Sequence, residues 1–396
     1  MSKKIKLFYF APHPVQYHVG IYRELAKVDS IDFKVIYEDN IGIKPTYVEE
    51  FKKEIKWDID LLDGYPYEFM KNCSLNPHGG FFARVNFDIF NFFFIDKPDV
   101  ILFKGYVNFS DWLIMILAIL TRTKIIFRGE ATLRGIENDP TFSHVFKKYF
   151  LNTWLKACDI VMFSCSGNKD YWKFYGVDES KLLPIPCAVD NDFFREQKIA
   201  YTPRESEIKK NLDICSDNLI VLFSARFTSR KRPLDLLKAI SNIDHSNITV
   251  LFVGDGPERS NMEKYVQKHH INAIFTGFVN QTEISKYYSI SSLDVVISDY
   301  DPSPKAMNEA MNFKLPIIVT DIVGTAHDLV KDGKNGFLVK VGDIDLIAEK
   351  IDFLNKNRKE LIRMGNNSFD IVEGWNFKED VKGILDAIDC ITEKNS

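Results

Sequence analysis

A chain of 396 residues that is 45% hydrophobic can bury more than one core, and at ~100 to 200 residues per domain it divides most simply into two. Its 51 Lys and Arg stand against 55 Asp and Glu, a net charge of -4 that gives no electrostatic footing for general nucleic-acid binding. Six scattered cysteines (Cys73, Cys158, Cys165, Cys187, Cys215 and Cys390), with no Cys-x-x-Cys pair, fit the reduced, structural thiols of a cytosolic protein.

The opening MSKKIKLFYFAPHP has an apolar run that is short, lacks a small-residue cleavage site and stops at Pro12, so it reads as a first buried strand. Further strands are expected at residues 33–37, 100–103, 124–127 and 160–163, with helical spacing over 17–27 and 146–156. Short apolar runs separated by helical segments are the pattern of parallel strands joined by crossover helices. The Phe-dense stretch 79–98 reads first as a helix buried by a wide apolar face, with a peripheral membrane contact as the sharper alternative. The apolar run 112–120 is about half of the ~20 residues that a spanning helix needs. A cytoplasmic location, at most peripheral at the inner face of a membrane, is therefore expected.

Residues 201–218 are polar and charged, suited to a linker with a short surface helix, and place the domain boundary near residue 200. A second strand series follows at 219–223, 249–253, 273–276, 295–297 and 317–319. Residues 375–391 form a separate amphipathic helix that could pack back across the first domain. The expected fold class is α/β, with two doubly wound Rossmann-like domains, 1–200 and 201–374, and a C-terminal helix over 375–396. In such sheets ligands bind at the carboxyl ends of the strands, so the chemistry belongs to the loops that follow them.

Two segments carry that chemistry. In LIVLFSARFTSRKRPLDLL a strand ends at Phe223 and a helix starts near Pro233, leaving Arg226, Arg230, Lys231 and Arg232 on the loop between. Four cations at a strand's carboxyl end suit an anion such as a diphosphate, although a solvated basic loop would have the same composition. In SDYDPSPKAMNEAM, Asp301 lies in a loop and Glu309 about one turn into a helix starting near Lys305. Both carboxylates can then face one ligand, with the unpaired N–H groups of the helix start nearby.

With these residues in view the chain resembles glycosyltransferase family 4, whose signature is a Glu, seven residues, then Glu-Ala-Met. DPSPKAMNEAM fits it at Pro304, Glu309, Ala310 and Met311. ARFTSRK matches the family's Arg and Lys five residues apart, and the stretches 252–259, 275–298 and 324–339 follow in family order, with IPCAVDNDFF before them. The resemblance implies a GT-B fold, two Rossmann-like domains facing across a cleft, and a retaining transfer of sugar from a UDP- or GDP-linked donor to a glycan or lipid-linked hydroxyl acceptor.

It also implies roles. Arg226 and Lys231 would neutralise the donor diphosphate, Glu309 would accept hydrogen bonds from the ribose hydroxyls, and Asp301 would hold hydroxyls of the transferred sugar. Ser303, Pro304, Lys305 and Ala306 form the turn at the donor, and Gly254 and Phe278 belong to the neighbouring donor-domain landmarks. No protein nucleophile, cofactor or metal is implied.

The chain departs from the family at several points. Asp301 replaces the usual Glu, and Pro302 and Pro304 lack N–H groups, leaving Ser303, Lys305 and Ala306 to donate. APHPVQYHVG replaces a Gly-Gly turn after the first strand, making His13, Gln16 and His18 cleft candidates. FRGEATLRG offers Arg128 and Glu130 on the acceptor side, or else a structural ion pair. An epimerase of the same architecture, or a non-catalytic nucleotide-sugar binding protein, are the alternatives. Asp58-Ile59-Asp60 and Asp343-Ile344-Asp345 look like metal-binding DxD triplets but sit at no convincing strand end, and Gly254-Asp255-Gly256 is too little for a dinucleotide fingerprint.

Overall fold

The computed structural model describes residues 3–43, 46–48, 53–55, 59–77, 79–135 and 141–393. The chain separates into two units: Met1–Thr46, Ile55–Pro186 and Phe377–Ser396 form one, and Tyr47–Glu54 with Cys187–Asn376 the other. The division after Pro186 falls earlier than the boundary expected near residue 200. The helix Asn191–Tyr201 packs on the helices Gln281–Ile290 and Lys305–Asn312, so it belongs to the second unit.

In chain order the strands of the first half are β1 (Ile5–Ala11), β2 (Ile31–Tyr37), the short β3 (Thr46–Val48) and β4 (Lys53–Ile55), β5 (Tyr67–Phe69), β6 (Val100–Phe103), β7 (Lys124–Gly129), β8 (Ile160–Phe163) and β9 (Leu182–Pro184). Seven of them form a parallel sheet in the order β5-β2-β1-β6-β7-β8-β9, while β3 and β4 pair separately. The second unit has β10 (Leu219–Ser224), β11 (Ile248–Val253), β12 (Ala273–Phe275), β13 (Leu293–Val296), β14 (Ile317–Thr320) and β15 (Gly336–Val339). They form a parallel sheet in the order β12-β11-β10-β13-β14-β15. Both units are thus Rossmann-like. Helices cover both faces of such a sheet, which is why β6 and β11 are buried at every position and read as continuous apolar runs.

The helix Phe377–Glu393 belongs to the first unit. Ile384, Ala387, Ile388 and Ile391 recur at helical spacing and join a core with Leu7, Tyr9, Tyr22 and Leu25. Two glycines let it approach. A Cβ at Gly20 would lie 2.0 Å from the Phe377 ring, and one at Gly383 would lie 2.3 Å from the Pro184 carbonyl oxygen.

The Phe-dense stretch is only partly buried, which corrects the reading of it as one core helix. It forms a 3₁₀ turn (Phe81–Ala83), one α-helical turn (Ile89–Asn91) and a π-helical turn (Phe92–Asp96). Phe92 and Phe93 enter the core, whereas Phe82, Phe87 and Phe94 are more than half exposed. Asp343 accepts a hydrogen bond from the Leu346 N–H and caps the helix Ile344–Lys356, which gives that acidic triplet a structural purpose. Asp58 of the other triplet lies outside the described residues.

A buried carboxyl pair sits at the carboxyl end of the first sheet. Glu38 follows β2 and is 1% exposed, with Arg84 Nη1 3.8 Å from its Oε2. Asp111 accepts N–H bonds from Val107 and Asn108. Burial, then the charge of Asp111, pushes the Glu38 carboxyl up to about 8 against the pull of Arg84; Asp39 adds to the rise. An acid whose folded pKa is raised favours folding while protonated, and that contribution is lost as pH rises from the ordinary carboxylate range through about 8. Glu38→Gln should therefore raise the thermal midpoint at pH 9 by several degrees and change it little at pH 5, as measured by a melting series against pH. Separately, Gly383→Val should cost about 1 to 3 kcal/mol in denaturant unfolding, because the Pro184 backbone cannot retreat without separating the helix from β9.

Candidate functional site

The sheet of the second unit reverses direction between β10 and β13: the chain runs outward through β11 and β12, then returns to the other side of β10. That crevice is where a doubly wound sheet leaves room for a ligand at its carboxyl end. The loop after β10 carries Arg226, Arg230, Lys231 and Arg232, and the loop after β13 carries Asp301, Ser303 and Pro304. Topology alone makes the two predicted loops neighbours.

They meet directly. The Lys231 ammonium donates to Asp301 Oδ2, with both side chains largely buried. The Asp299 N–H donates to the Arg230 carbonyl at 2.9 Å and the Gly324 N–H to the Asp301 carbonyl at 2.9 Å, so backbone bonds fix the loops from both sides. The other cations have separate tasks. Arg232 adopts a left-handed conformation just before Pro233 and donates to Asp235 at 2.6 Å, within its own helix. Arg230 lies over the Tyr300 ring, 5.7 Å from its centroid. Arg226 is exposed at the start of the loop.

Pro304 caps the helix Lys305–Asn312 and supplies its extended entry. Ser303 N–H, expected to face a ligand, instead donates to Asp301 Oδ1 at 3.3 Å. Lys305 reaches the Cys187 thiol, the Cys187 carbonyl at 3.3 Å and Ser303 Oγ at 3.3 Å. Ala306 is half-buried in the first helical turn. Glu309 is 3% exposed, and the Tyr288 hydroxyl donates to its Oε2 at 2.8 Å. Burial, the Glu309 charge and Asp294 keep the Tyr288 phenol well above its ordinary pKa, and burial likewise raises Asp294 on β13.

Gly254 ends β11 with its N–H already donating to the Gly277 carbonyl at 3.0 Å. Its value lies in closeness, since a Cβ there would lie 2.0 Å from the Ala225 carbonyl oxygen, beside Arg226. Gly256 is pressed in the same way against Phe227, so the Gly-Asp-Gly run shapes the cation loop. Phe278 is half-buried on the turn after β12.

In the first unit, the expected acceptor-side residues follow β1 and β7. His18 is 8% exposed, and its Nε2 lies 2.6 Å from the Lys104 ammonium at the end of β6. Burial first, then Arg84 and Lys104, lowers the His13 pKa and keeps its imidazole neutral. Gln16 opens the helix Gln16–Ala26. Arg128 is 1% exposed, with its Nη2 3.8 Å from Glu130 Oε1, a pairing looser than a hydrogen bond. Its charge also acts on the buried Tyr9 phenol.

Sequence reasoning missed Tyr288, Lys104 and Glu38. Lys104 and Glu38 stand immediately after the apolar strands β6 and β2, where the rule that sites follow strands would have found them. Tyr288 carries no such signal, because it approaches Glu309 from the middle of a crossover helix.

Residues 204–370 match the family model described as glycosyl transferases group 1. The chain is 32% identical over 194 residues to a GDP-mannose-dependent alpha-mannosyltransferase of Corynebacterium glutamicum, covering 48% of this chain and 43% of that protein. It is 28% identical over 228 residues to a UDP-Gal:alpha-D-GlcNAc-diphosphoundecaprenol alpha-1,3-galactosyltransferase of Escherichia coli, covering 55% and 57%. The chain thus spans about half the length of the curated relatives it matches. Among solved structures, a glycosyltransferase from Rickettsia africae superposes with a TM-score of 0.77 over 99% of this chain and 100% of that one, at 18% identity. Residues 204–370 are therefore similar to the glycosyl transferases group 1 family, and the chain shares its two-sheet fold with the glycosyltransferase from Rickettsia africae.

Proposed function

We propose that the protein transfers a sugar from a nucleotide diphosphate sugar to a hydroxyl acceptor, with retention of anomeric configuration, in the synthesis of a glycan or glycolipid. The observation that carries this reading is the contact of Lys231 with Asp301 across the two loops that flank the strand-order reversal. It orients an ammonium at the sheet's carboxyl end, and such preorganised charge is usually the largest catalytic contribution.

In this reading the donor diphosphate lies against Arg226 and Lys231, its ribose hydroxyls donate to Glu309, and Asp301 holds the transferred sugar. Lys305 and the N–H groups of Lys305 and Ala306 border the phosphates, with Gly254 and Phe278 at the nucleotide side. The sugar's anomeric carbon breaks its bond to the diphosphate oxygen and forms one to the acceptor oxygen on the same face. The acceptor proton passes to the departing diphosphate, so no side chain forms a covalent intermediate. On the first unit, His13, Gln16, His18, Arg128 and Glu130 are the proposed acceptor-side groups, and the neutral state of His13 suits it to accept a hydrogen bond from a hydroxyl. The two relatives, one named for UDP-Gal and one for GDP-mannose, support a nucleotide diphosphate donor and differ on its base.

A lipid-linked acceptor would place the enzyme at a membrane surface. No helix among the described residues is long and apolar enough to cross a membrane. The helix Phe109–Thr121 nevertheless exposes Trp112, Ile116, Ile119 and Leu120 beside Phe82, Phe87 and Phe94. An apolar face of this kind fits a peripheral contact with lipid.

Incubation with UDP- and GDP-sugars should raise the melting temperature with one of them, since a ligand held only by the folded state stabilises it. That sugar nucleotide should release nucleoside diphosphate, and Lys231→Ala should slow the release by about 100-fold or more. Unaltered turnover in Glu309→Ala would remove the donor-site assignment, and an altered sugar nucleotide without nucleoside diphosphate would indicate epimerisation instead. The double variant Ile116→Glu, Leu120→Glu should sediment with phosphatidylglycerol vesicles about tenfold less than the unmodified protein, with its melting temperature unchanged. Equal sedimentation would exclude this face from membrane contact.

A further inference from the structure

Glu309 is a carboxylate 3% exposed to solvent, and burying a charge at this depth requires partners that hold it in one orientation. Tyr288 provides such a partner. It lies in the helix Gln281–Ile290, is 1% exposed, and donates its hydroxyl proton to Glu309 Oε2 at 2.8 Å.

The ring is fixed as firmly as the hydroxyl. It stacks on Phe313 with centroids 5.4 Å apart and meets Phe194 edge-on at 6.4 Å. Phe313 directly follows the helix Lys305–Asn312 that carries Glu309, so the phenol and the carboxylate are referenced to the same element. The other carboxyl close to Glu309 is Asp294 on β13, wholly buried, whose pKa is raised by burial, against a hydrogen bond from the Val295 N–H, and further by the Glu309 charge. Of these two carboxyls, Glu309 is the one whose oxygen accepts the phenol's hydrogen bond.

We infer that Tyr288 is a positioning residue of the donor site, whose hydroxyl holds the Glu309 carboxylate in the orientation that receives the ribose hydroxyls of the nucleotide. This rests on the reading of Glu309 as the ribose ligand. With the phenol 1% exposed, it acts on nucleotide affinity through Glu309. A hydrogen bond to a charged, buried group is among the stronger ones, and its removal should loosen the carboxylate rather than displace the core, because phenylalanine retains the ring.

The test compares Tyr288→Phe, Glu309→Gln and the double variant by calorimetric titration with UDP, GDP and inorganic pyrophosphate. Tyr288→Phe should weaken the nucleotide that the unmodified protein prefers by about tenfold while leaving pyrophosphate affinity within about twofold. Added to Glu309→Gln, it should weaken the nucleotide no further, since contacting groups that act as a unit are not additive. Steady-state turnover should show the change in KM for the sugar nucleotide and little in kcat.

Unchanged nucleotide affinity in Tyr288→Phe, together with a loss in Glu309→Gln, would overturn the inference and leave the Glu309 assignment standing. Parallel losses of nucleotide and pyrophosphate would show a general structural defect and overturn it as well. Unchanged affinity in Glu309→Gln, or no binding of either nucleotide by the unmodified protein, would defeat the underlying reading and the inference with it.

Discussion

The ion pair between Lys231 and Asp301 joins two loops separated by 70 residues of sequence, and the candidate site depends on it. The pair exists because the second sheet reverses its strand order at β10, which brings the loop after the first strand of that unit beside the loop after the fourth. Neither loop could place a buried charge alone, since an ammonium or a carboxylate taken from water needs a partner to offset its desolvation. The sheet provides the neighbourhood, and the charges then hold the neighbourhood closed.

Around that pair, close backbone approach matters as much as charge. Gly254 and Gly256 press against the carbonyls of Ala225 and Phe227, so the cation loop lies on the end of β11 without an intervening side chain. Pro304 and Pro233 each open a helix and carry no N–H that would need a partner there. The DPSP turn therefore trades ligand-facing amides for a rigid path, and Asp301 takes the Ser303 N–H for itself. The short Asp301 side chain fits this geometry, because it turns back on its own loop and still meets Lys231.

Much of this was legible in sequence where apolar runs are unbroken. The runs behind β1, β6, β8, β10 and β11 are largely apolar and mostly buried, so their existence followed from composition. The expected loops with Arg226, Lys231 and Asp301 came with them. Strands β5, β9 and β15 were not predicted for separate reasons. β5 is a three-residue edge strand with exposed Tyr67 and Glu68, β9 ends in proline, and β15 opens with a glycine that a Cβ would drive into Ile317. Tyr288 was invisible because its contact with Glu309 spans two crossover helices, and no local period encodes such a meeting. The exposed half of the Phe-dense stretch was misjudged because the chain there breaks into a 3₁₀ turn, one α-helical turn and a π-helical turn, so no single buried face runs along it.

The first unit is assembled from segments that precede and follow the second in sequence, whereas nearly all of the second is continuous from Cys187 to Asn376. During synthesis the second unit can complete its core as soon as it leaves the ribosome. The first must wait, with the surface around Leu7, Tyr9 and Tyr22 uncovered, until Ile384, Ile388 and Ile391 have been made. A ribosome that stalls or terminates before the last helix would thus release a chain whose later half is finished and whose earlier half is a substrate for chaperones and proteases.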